Sequence, residues 1–273
     1  MKHLYRDHIA DFIYNRLKDN EDALKKHFDL TSSGVGCFYI DDLLPDDIAT
    51  RIYKSFPETK DVNVKKSIRE YKYVAAQMDK YNPLLEEIIF AFQDVRVVNL
   101  ISDICGYDAI QPDSNLYAGG ISMMGKGNYL NPHLDNSHDK DRALWRVLNL
   151  LYYVTPDWNP EHGGNLEIWP DGLKGEATVI DAKFNRLAVM ATHKKSWHSV
   201  SKVNTDGVRC CISNYYFSDQ PVSNEKSFHV TTFRGRPGQF FTDKLLQLDS
   251  SVRMGVRKLF KNGIRENPHV YKK

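Results

Sequence analysis

The stretch from residue 146 to residue 154, RVLNLLYYV, is one of the short apolar runs that decide the fold class. Similar runs lie on both sides of it, separated by Gly, Pro, Asn and Asp, at residues 115–117, 121–124, 165–169, 187–191, 197–203 and 209–217. Seven or eight short strands at this spacing are typical of an antiparallel sandwich or barrel. We therefore expect a mainly β core flanked by helices.

The chain before residue 110 is helical in pattern. Apolar residues at helical spacing predict a helix from Leu4 to Phe28, and Pro45 and Pro83 each stand where a proline begins a helix. The helix after Pro83 is expected to reach Ile104. Between them, the charged and irregular segment 57–74 predicts a mobile stretch. We place the helical part at 1–110 and the strand-rich core at 111–220, in one domain that covers residues 1–225.

The end of the chain, residues 226–273, holds eleven Lys or Arg residues against three acidic ones. We expect it to be a largely helical extension that docks on its own acidic domain. An anionic partner is the alternative, but no nucleic-acid motif accompanies the charge, so we expect no nucleic-acid partner. The apolar seam after Pro237 is expected to cover the sheet, and a dimer through these helices is the alternative. Its members are Phe241, Leu245, Leu248, Val252 and Leu259, with a possible division at Asp249-Ser250.

Composition excludes several other classes of protein. With 273 residues, 41% of them apolar, the chain can bury a core, and its net charge is only +2. Mean hydropathy is -0.51, and no apolar run of about 18 residues predicts a membrane span. The start, MKHLYRD, lacks the apolar stretch of a secretory signal. Four scattered cysteines do not form a disulfide framework, so we expect a cytoplasmic location.

The stretch NPHLDN at residues 131–136 carries the strongest chemical pattern. Positions i and i+2 of a strand share a face, so His133 and Asp135 can reach one metal ion. A third ligand must come from another strand, and His198 opens the run after residue 196. Two imidazoles and one carboxylate on one side of an ion form the facial triad of non-haem Fe(II) oxygenases.

Two other histidines, His27 and His193, are alternative candidates for metal ligands. His27 also stands two residues before an acid, Asp29, but in a helical stretch, where the two side chains diverge by about 200°. His193 competes with His198 for the distal position. It ends an apolar run, whereas His198 opens the next one, which favours His198. A single histidine is more often a structural residue than a ligand, so the whole set carries the prediction.

Arg209 points to a second component of the site. It lies in the apolar strand GVRCCIS at residues 207–213, and a buried guanidinium needs an anionic partner. A dicarboxylic acid such as 2-oxoglutarate would chelate the metal with its keto-acid end and meet Arg209 with its far carboxylate. Tyr153 shares a strand face with Asn149 and Leu151 and could donate a hydrogen bond to that carboxylate. The alternatives are an internal ion pair for Arg209 and plain packing for Tyr153.

At this point the sequence resembles the Fe(II)/2-oxoglutarate-dependent dioxygenases, and most closely their prolyl-hydroxylase branch, which includes the hypoxia-inducible-factor prolyl hydroxylases. The similar stretch runs from about residue 133 to residue 217. It contains HLDN at 133–136, LYYV at 151–154, DW at 157–158, GGNL at 163–166, FNRL at 184–187, WHSV at 197–200, Arg209 and YYF at 215–217. The resemblance implies a double-stranded β-helix, or jelly roll, with N-terminal support helices and the C-terminal helical extension beside it.

Residue by residue, the resemblance implies that His133, Asp135 and His198 hold Fe(II). It also implies that Arg209 and Tyr153 bind 2-oxoglutarate. Two departures stand out. The branch has a tyrosine on the strand before the first histidine, where this chain has ISMM at 121–124. Many relatives have a serine two residues after the arginine, where this chain has Cys211; we expect Ser213 to serve instead.

The resemblance implies an enzyme, a 2-oxoglutarate-dependent dioxygenase that hydroxylates an unactivated C–H bond with Fe(II), dioxygen and ascorbate as reductant. We expect the target to be a prolyl or other residue of a peptide or protein. The first alternative is a free amino acid or other small metabolite on the same site, and the second is a non-catalytic jelly-roll module that binds a metal or ligand. An open groove would favour a peptide, and a closed pocket with a second charged anchor would favour a metabolite.

Overall fold

The structure, a computed structural model, describes residues 5–222, 227–260 and 270–272. The extension predicted at 226–273 therefore lies partly outside the described residues, at 226, 261–269 and 273. The helices within the described part are α1 (Arg6–Lys18), α2 (Glu21–Thr31), α3 (Asp46–Lys54), α4 (Pro83–Ala91), α5 (Val95–Cys105) and α6 (Phe240–Leu259). None of the helices in this part is both long and apolar enough to traverse a bilayer.

The strands form one antiparallel sheet. They are β1 (Cys37–Ile40), β2 (Asn63–Lys66), β3 (Glu70–Ala75), β4 (Ile110–Pro112), β5 (Gly120–Met124), β6 (Tyr129–Leu134), β7 (Trp145–Tyr153), β8 (Leu166–Ile168), β9 (Thr178–Ile180), β10 (Arg186–Ala191), β11 (His198–Val200), β12 (Arg209–Ser218) and β13 (Thr232–Phe233). Their order is β1-β10-β7-β12-β5-β3-β6-β11-β8-β9, with β2 on β3, β4 on β12 and β13 on β6. The sheet curls into a nearly closed jelly-roll barrel, which confirms the predicted fold class.

Strand β7 shows how the sequence divides the core. Leu148, Leu150 and Tyr152 face the helices and join Ile13 and Ile101 in one apolar cluster. Tyr153, on the opposite face, belongs to a second cluster inside the barrel. Side chains alternate between the faces of a strand, so a run that is apolar throughout must be covered on both sides. The support helices cover one face, and the barrel interior covers the other.

The predicted helices are present but are divided differently. The stretch from Leu4 to Phe28 contains two helices, α1 and α2, which are separated at Asn20, and Leu4 lies outside the described residues. The stretch 83–104 also contains two helices, because Asp94 caps a new one by accepting a hydrogen bond from the Arg96 backbone N–H at 2.9 Å. Conversely, α6 is continuous through Asp249-Ser250.

Two expectations about the strands were wrong. Segment 57–74, predicted to be irregular and mobile, contains β2 and most of β3, and β3 pairs with both β5 and β6. Residues 115–117, predicted to be a strand, form a turn. There Leu116 has a φ of 45°, and the Ala118 N–H donates to the Asp113 carboxylate. The polar side chains on β2 and β3 hid their strand character, because their inward face lines a cavity.

The predicted apolar seam of α6 does not face the sheet. Phe241 is 83% exposed, and Leu245, Leu248, Val252 and Leu259 are exposed as well. The helix packs instead through Leu246 and Ser250, whose hydroxyl accepts a hydrogen bond from the Phe233 backbone N–H. The expectation that the seam covers the sheet was therefore wrong. A dimer through this helix stays a prediction.

Candidate metal and cosubstrate site

Three of the predicted site residues meet inside the barrel. His133 on β6 lies directly opposite His198 on β11 in the strand register, and Asp135 follows the end of β6. Asp135 Oδ1 lies 3.8 Å from His133 Nε2, and its Oδ2 lies 3.7 Å from His198 Nε2. One ligand atom from each residue falls within 4.8 Å of the others. This arrangement can hold a metal ion.

Each of the two imidazoles is oriented by the backbone carbonyl of the residue two positions before it. His133 Nδ1 donates to the Asn131 carbonyl, and His198 Nδ1 donates to the Ser196 carbonyl, each at 2.9 Å. Such bonds fix the tautomer and leave Nε2 as the free lone pair, as is usual for metal-binding histidines. The Phe233 ring from β13 stacks on His133 with a centroid distance of 5.1 Å and restricts its rotation.

The protonation states fit a cation. Burial and the neighbouring His198 lower the pKa of His133 to about 3, so its imidazole is neutral at physiological pH. Burial opposes ionisation of Asp135, but His198, Arg146 and His133 together lower the pKa of its carboxyl. Asp135 Oδ2 is buried and accepts no hydrogen bond. A buried acceptor without a partner is costly, and the Nε2 atoms of His133 and His198 beside it complete a donor set suited to Fe(II).

Arg209 enters the same interior from β12. It is 3% exposed, and its Nη1 donates one long hydrogen bond of 3.4 Å to the Gly164 carbonyl. Its Nε has no partner, and none of the described acidic residues forms an ion pair with it. Gly164 belongs to the GGNL stretch at 163–166 that carries part of the resemblance. It has a φ of 71°, and a Cβ there would come within 3.0 Å of Arg209 Cδ, so a glycine is needed to let the guanidinium lie flat.

Tyr153 lies next to Arg209. The Arg209 guanidinium carbon is 5.3 Å from the centre of the Tyr153 ring. The tyrosine hydroxyl is fully buried and has no hydrogen-bond partner, and burial raises its pKa. Two buried polar groups without partners, one cationic and one a hydroxyl, are what a bound carboxylate would satisfy.

A cavity of about 490 Å³ joins these groups. His133, Asp135, His198 and Arg209 all line it. On β12, Cys211 and Ser213 follow Arg209 on the same face, with Ser213 four residues away, which is about 13 Å along a strand. Ser213 therefore lies further along β12, opposite Gly120, and is only partly buried.

Sequence reasoning missed Arg146, on β7. It is 4% exposed, its Nη1 lies 3.6 Å from Asp135 Oδ1, and its guanidinium covers the Tyr215 ring at 4.3 Å. Its Nε and Nη2 have no partner. A lone arginine inside the apolar run at 146–154 was the available signal, and it is the same signal that identified Arg209.

The cavity wall also contains charged side chains from three further elements. Lys65, Glu70 and Lys72 come from β2 and β3, and Arg253 and Arg257 come from α6. The Lys65 side chain is exposed where it lines the cavity, whereas Glu70 and Lys72 are partly buried. The approach of the basic helix α6 to this cavity could not be inferred from the sequence.

The competing histidines lie elsewhere. His193 Nε2 donates to the Val35 carbonyl at 3.0 Å, and its Nδ1 accepts from the Lys195 backbone N–H. Both ring nitrogens are therefore engaged. His27 is on α2, as expected, and its ring contacts Tyr39 at a centroid distance of 5.5 Å.

An antiparallel jelly roll with this histidine and carboxylate set defines a class, the Fe(II)/2-oxoglutarate oxygenases. Residues 119–217 match the family model described as the 2OG-Fe(II) oxygenase superfamily. The matched range includes His133, Asp135, His198 and Arg209. The chain thus contains a 2OG-Fe(II) oxygenase domain.

One curated relative matches a part of the chain. Egl nine homolog 1 from Rattus norvegicus is 28% identical over 112 residues, which are 41% of this chain and 31% of that protein. The chain thus spans about a third of the length of this relative.

Two solved structures share the fold. A prolyl-4-hydroxylase from Pseudomonas putida superposes with a TM-score of 0.54 at 16% identity, over 71% of this chain and 98% of that chain. A Trichoplax adhaerens prolyl hydroxylase, solved with a peptide fragment of the hypoxia inducible factor oxygen degradation domain, gives 0.53 at 19% identity, over 74% and 92%. At such identities the likeness establishes the architecture.

Proposed function

We propose that this chain is an Fe(II)- and 2-oxoglutarate-dependent dioxygenase that hydroxylates an unactivated C–H bond. One observation carries the proposal. Two Nε2 atoms and a partnerless carboxylate oxygen converge in the same cavity as a buried arginine that no described acid neutralises. An internal ion pair for Arg209, the competing interpretation, finds no acid among the described residues.

In this proposal His133, Asp135 and His198 would hold the iron from one side. The opposite side of the ion would then be open to 2-oxoglutarate and dioxygen. When bound, the iron activates dioxygen, with decarboxylation of 2-oxoglutarate to succinate. The residues of the chain bind and orient. The carbonyls of Asn131 and Ser196 hold the imidazoles in position, and the barrel interior limits access of water.

Arg209 is proposed to pair with the far carboxylate of 2-oxoglutarate, and Tyr153 to donate its hydroxyl hydrogen to the same group. Because Ser213 is four residues beyond Arg209, its proposed role shifts to the opposite end of the cosubstrate or to the substrate. Ascorbate as reductant, a cytoplasmic location and a monomeric or dimeric state remain predictions.

For the substrate, likeness to prolyl hydroxylases supports a prolyl residue of a peptide. A specific observation supports the second candidate, a small metabolite. The cavity has a second group of charged side chains, Lys65 and Lys72 among them, besides Arg209. A pocket with a second charged anchor is the feature expected for a small charged molecule. A non-catalytic binding module is the third candidate.

The test is release of succinate from 2-oxoglutarate with Fe(II) and ascorbate present. Candidate proline-containing peptides and free amino acids are added one at a time, and the His133→Ala variant is run in parallel. We expect succinate above the background of the variant, increased by the correct substrate. If the unmodified chain binds iron but releases no more succinate than His133→Ala in any of the mixtures, only the non-catalytic binding module is left.

A further inference from the structure

The cavity carries far more positive than negative charge. Its lining includes seven cationic side chains and two acidic ones. The cations are Lys65, Arg69, Lys72, Arg146, Arg209, Arg253 and Arg257, and the acids are Glu70 and Asp135. A third acid, Asp249, pairs with Arg69 at 3.3 Å and with Arg253 at 2.9 Å. Four positive charges therefore stay without a counter-charge among the residues that the structure describes.

The proposed iron and 2-oxoglutarate do not remove this excess. Fe(II) brings two positive charges and 2-oxoglutarate two negative ones, so together they leave the balance unchanged. The inference rests on the proposed function, because it takes Fe(II) and 2-oxoglutarate to occupy the same cavity. An unbalanced field inside a concave, partly desolvated site attracts and holds anions.

The hairpin of β2 and β3 concentrates the excess. Lys65 lies directly opposite Lys72 in the antiparallel register, and both line the cavity. Like charges at directly opposed positions destabilise a strand pair. Lys72 Nζ has an ion pair with Glu70 at 3.0 Å, whereas Lys65 has none among the described residues. An anion between the two lysines would remove this unfavourable interaction.

Guanidinium nitrogens without partners point into the same space. Arg146 is 4% exposed, and its Nε and Nη2 have no acceptor; Arg257 Nε, from α6, is also buried without one. Buried donors without acceptors are rare in folded proteins because each costs free energy. The chain of ion pairs from Arg69 through Asp249 to Arg253 links the hairpin to α6. The two cationic segments thus face one cavity from neighbouring walls.

We propose that the substrate is a small molecule bearing a phosphate or carboxylate group, anchored by Lys65 and Lys72, with Arg257 lining the same cavity. The size of the cavity, about 490 Å³, is within the range of small-molecule sites and includes the space for 2-oxoglutarate. The helix α6, in the basic extension whose role the sequence left open, supplies one wall of this anchor.

The test uses inorganic phosphate as the probe. Phosphate is titrated by calorimetry, under argon, into the chain loaded with Fe(II) and saturating 2-oxoglutarate, which keeps the probe away from Arg209. We expect the Lys65→Gln/Lys72→Gln variant to bind phosphate at least tenfold more weakly than the unmodified chain. Arg257→Gln, on the solvent-accessible helix, should weaken binding at least threefold, and Lys65→Arg/Lys72→Arg should retain it.

Lys66→Gln is the matched control. Lys66 is on the same strand, but its Nζ lies over the Tyr71 ring at 4.6 Å and does not line the cavity. It should bind phosphate as the unmodified chain does. Equal phosphate affinity in Lys65→Gln/Lys72→Gln, Lys66→Gln and the unmodified chain would overturn the proposal.

Hexaglutamate, titrated in parallel, tests whether an acidic peptide occupies the anchor instead. If hexaglutamate binds through the two lysines and phosphate does not bind, the anchor serves an acidic peptide and the small-molecule proposal is wrong. Failure here is distinguishable from failure of the proposed function. Phosphate binding requires no turnover, and uncoupled succinate release does not require phosphate.

Discussion

His133 and His198 face each other across adjacent antiparallel strands, with ring centroids 4.1 Å apart. Opposed residues on neighbouring strands are about 5 Å apart at Cβ, so their side chains reach the same point in space. Each ring turns Nε2 toward Asp135 because Nδ1 is bonded to a backbone carbonyl. Strand pairing thus brings together two proposed metal ligands that are 65 residues apart in sequence.

Replacing His198 by alanine should abolish iron binding. The change removes one of three ligands and leaves the carboxylate of Asp135 with a weaker donor set. We expect iron content, measured by atomic emission after desalting, to fall at least tenfold and succinate release to fall to background. His193→Ala is the matched control, because its ring is bonded to Val35 and Lys195 backbone groups. Full iron retention in His198→Ala would contradict the assignment.

Replacing Arg209 by alanine should weaken 2-oxoglutarate binding. The substitution leaves the carboxylate of the cosubstrate without its cationic partner, at a cost of about 3 kcal/mol or more, or roughly a hundredfold in Kd. The measurement is the dissociation constant of 2-oxoglutarate with Fe(II) present and oxygen absent. An unchanged constant would refute the cosubstrate assignment.

Arg186→Gln serves as the control for Arg209. Arg186 is also a buried arginine on a core strand, but Asp41 neutralises it through bonds of 2.6 and 3.0 Å. We expect this variant to lose free energy of unfolding while its 2-oxoglutarate affinity remains normal. Arg209→Ala should lose 2-oxoglutarate affinity without losing free energy of unfolding, because none of the described residues gives that guanidinium a counter-charge.

Replacing Tyr153 by phenylalanine should raise the Kd of 2-oxoglutarate about fivefold, the value of one hydrogen bond of roughly 1 kcal/mol. The ring stays in place beside Arg209, so packing is preserved. The thermal midpoint of the cosubstrate-free chain should not fall, since the hydroxyl has no partner there. A lowered midpoint with unchanged affinity would assign Tyr153 to packing.

The sequence revealed the barrel strands because most of them are apolar on both faces. It concealed β2 and β3 because their inward positions, Lys65, Glu70 and Lys72, line a polar cavity. Binary patterning identifies strands only where the buried face is apolar. The alternation of charge could be recognised only once the cavity was known.

Helix α6 illustrates a different limit. Its apolar period correctly predicted a helix, but Leu246 and Ser250 face the barrel while Phe241 and Leu245 are exposed. Period alone determines which residues share a face, and packing against neighbours determines which face is buried. For the proposed metal set, the spacing of His133 and Asp135 and the strand context of His198 were enough to predict three side chains that the structure brings together. The pairing of β6 with β11 was not predicted.

The four cysteines should be inert to thiol reagents in the native state. Cys37, Cys105, Cys210 and Cys211 are free and buried. Burial raises the pKa of Cys210 to about 12 and that of Cys211 to about 11, so neither forms thiolate near neutral pH. We expect no rapid reaction with a disulfide reagent at pH 8 and four equivalents after unfolding in guanidinium. Rapid labelling of Cys211, which lines the cavity, would contradict this.

Asp243 should make stability depend on pH in the acid range. Its carboxylate accepts bonds of 2.6 and 2.8 Å from Arg234, which, with the Gly235 backbone N–H, lower its pKa from 3.8 to about 2. A lowered native pKa means that the stabilisation is complete above the unfolded-state pKa and is lost as the pH falls toward 2. Allowing for solvent screening of this partly exposed pair, we expect a contribution of about 1 kcal/mol at pH 7.

Asp243→Asn should therefore lower the free energy of unfolding, measured with urea, by about 1 kcal/mol at pH 7 and by roughly half of that at pH 3. Asp206→Asn is the control, because Asp206 is 89% exposed in its pair with Lys126 and should have no measurable effect. Since Arg234 and Asp243 tie the start of α6 to the chain after β13, the variant should also loosen the wall that carries Arg253 and Arg257. A difference that grows rather than shrinks as the pH falls would show that Asp243 is not stabilised in its ionised form.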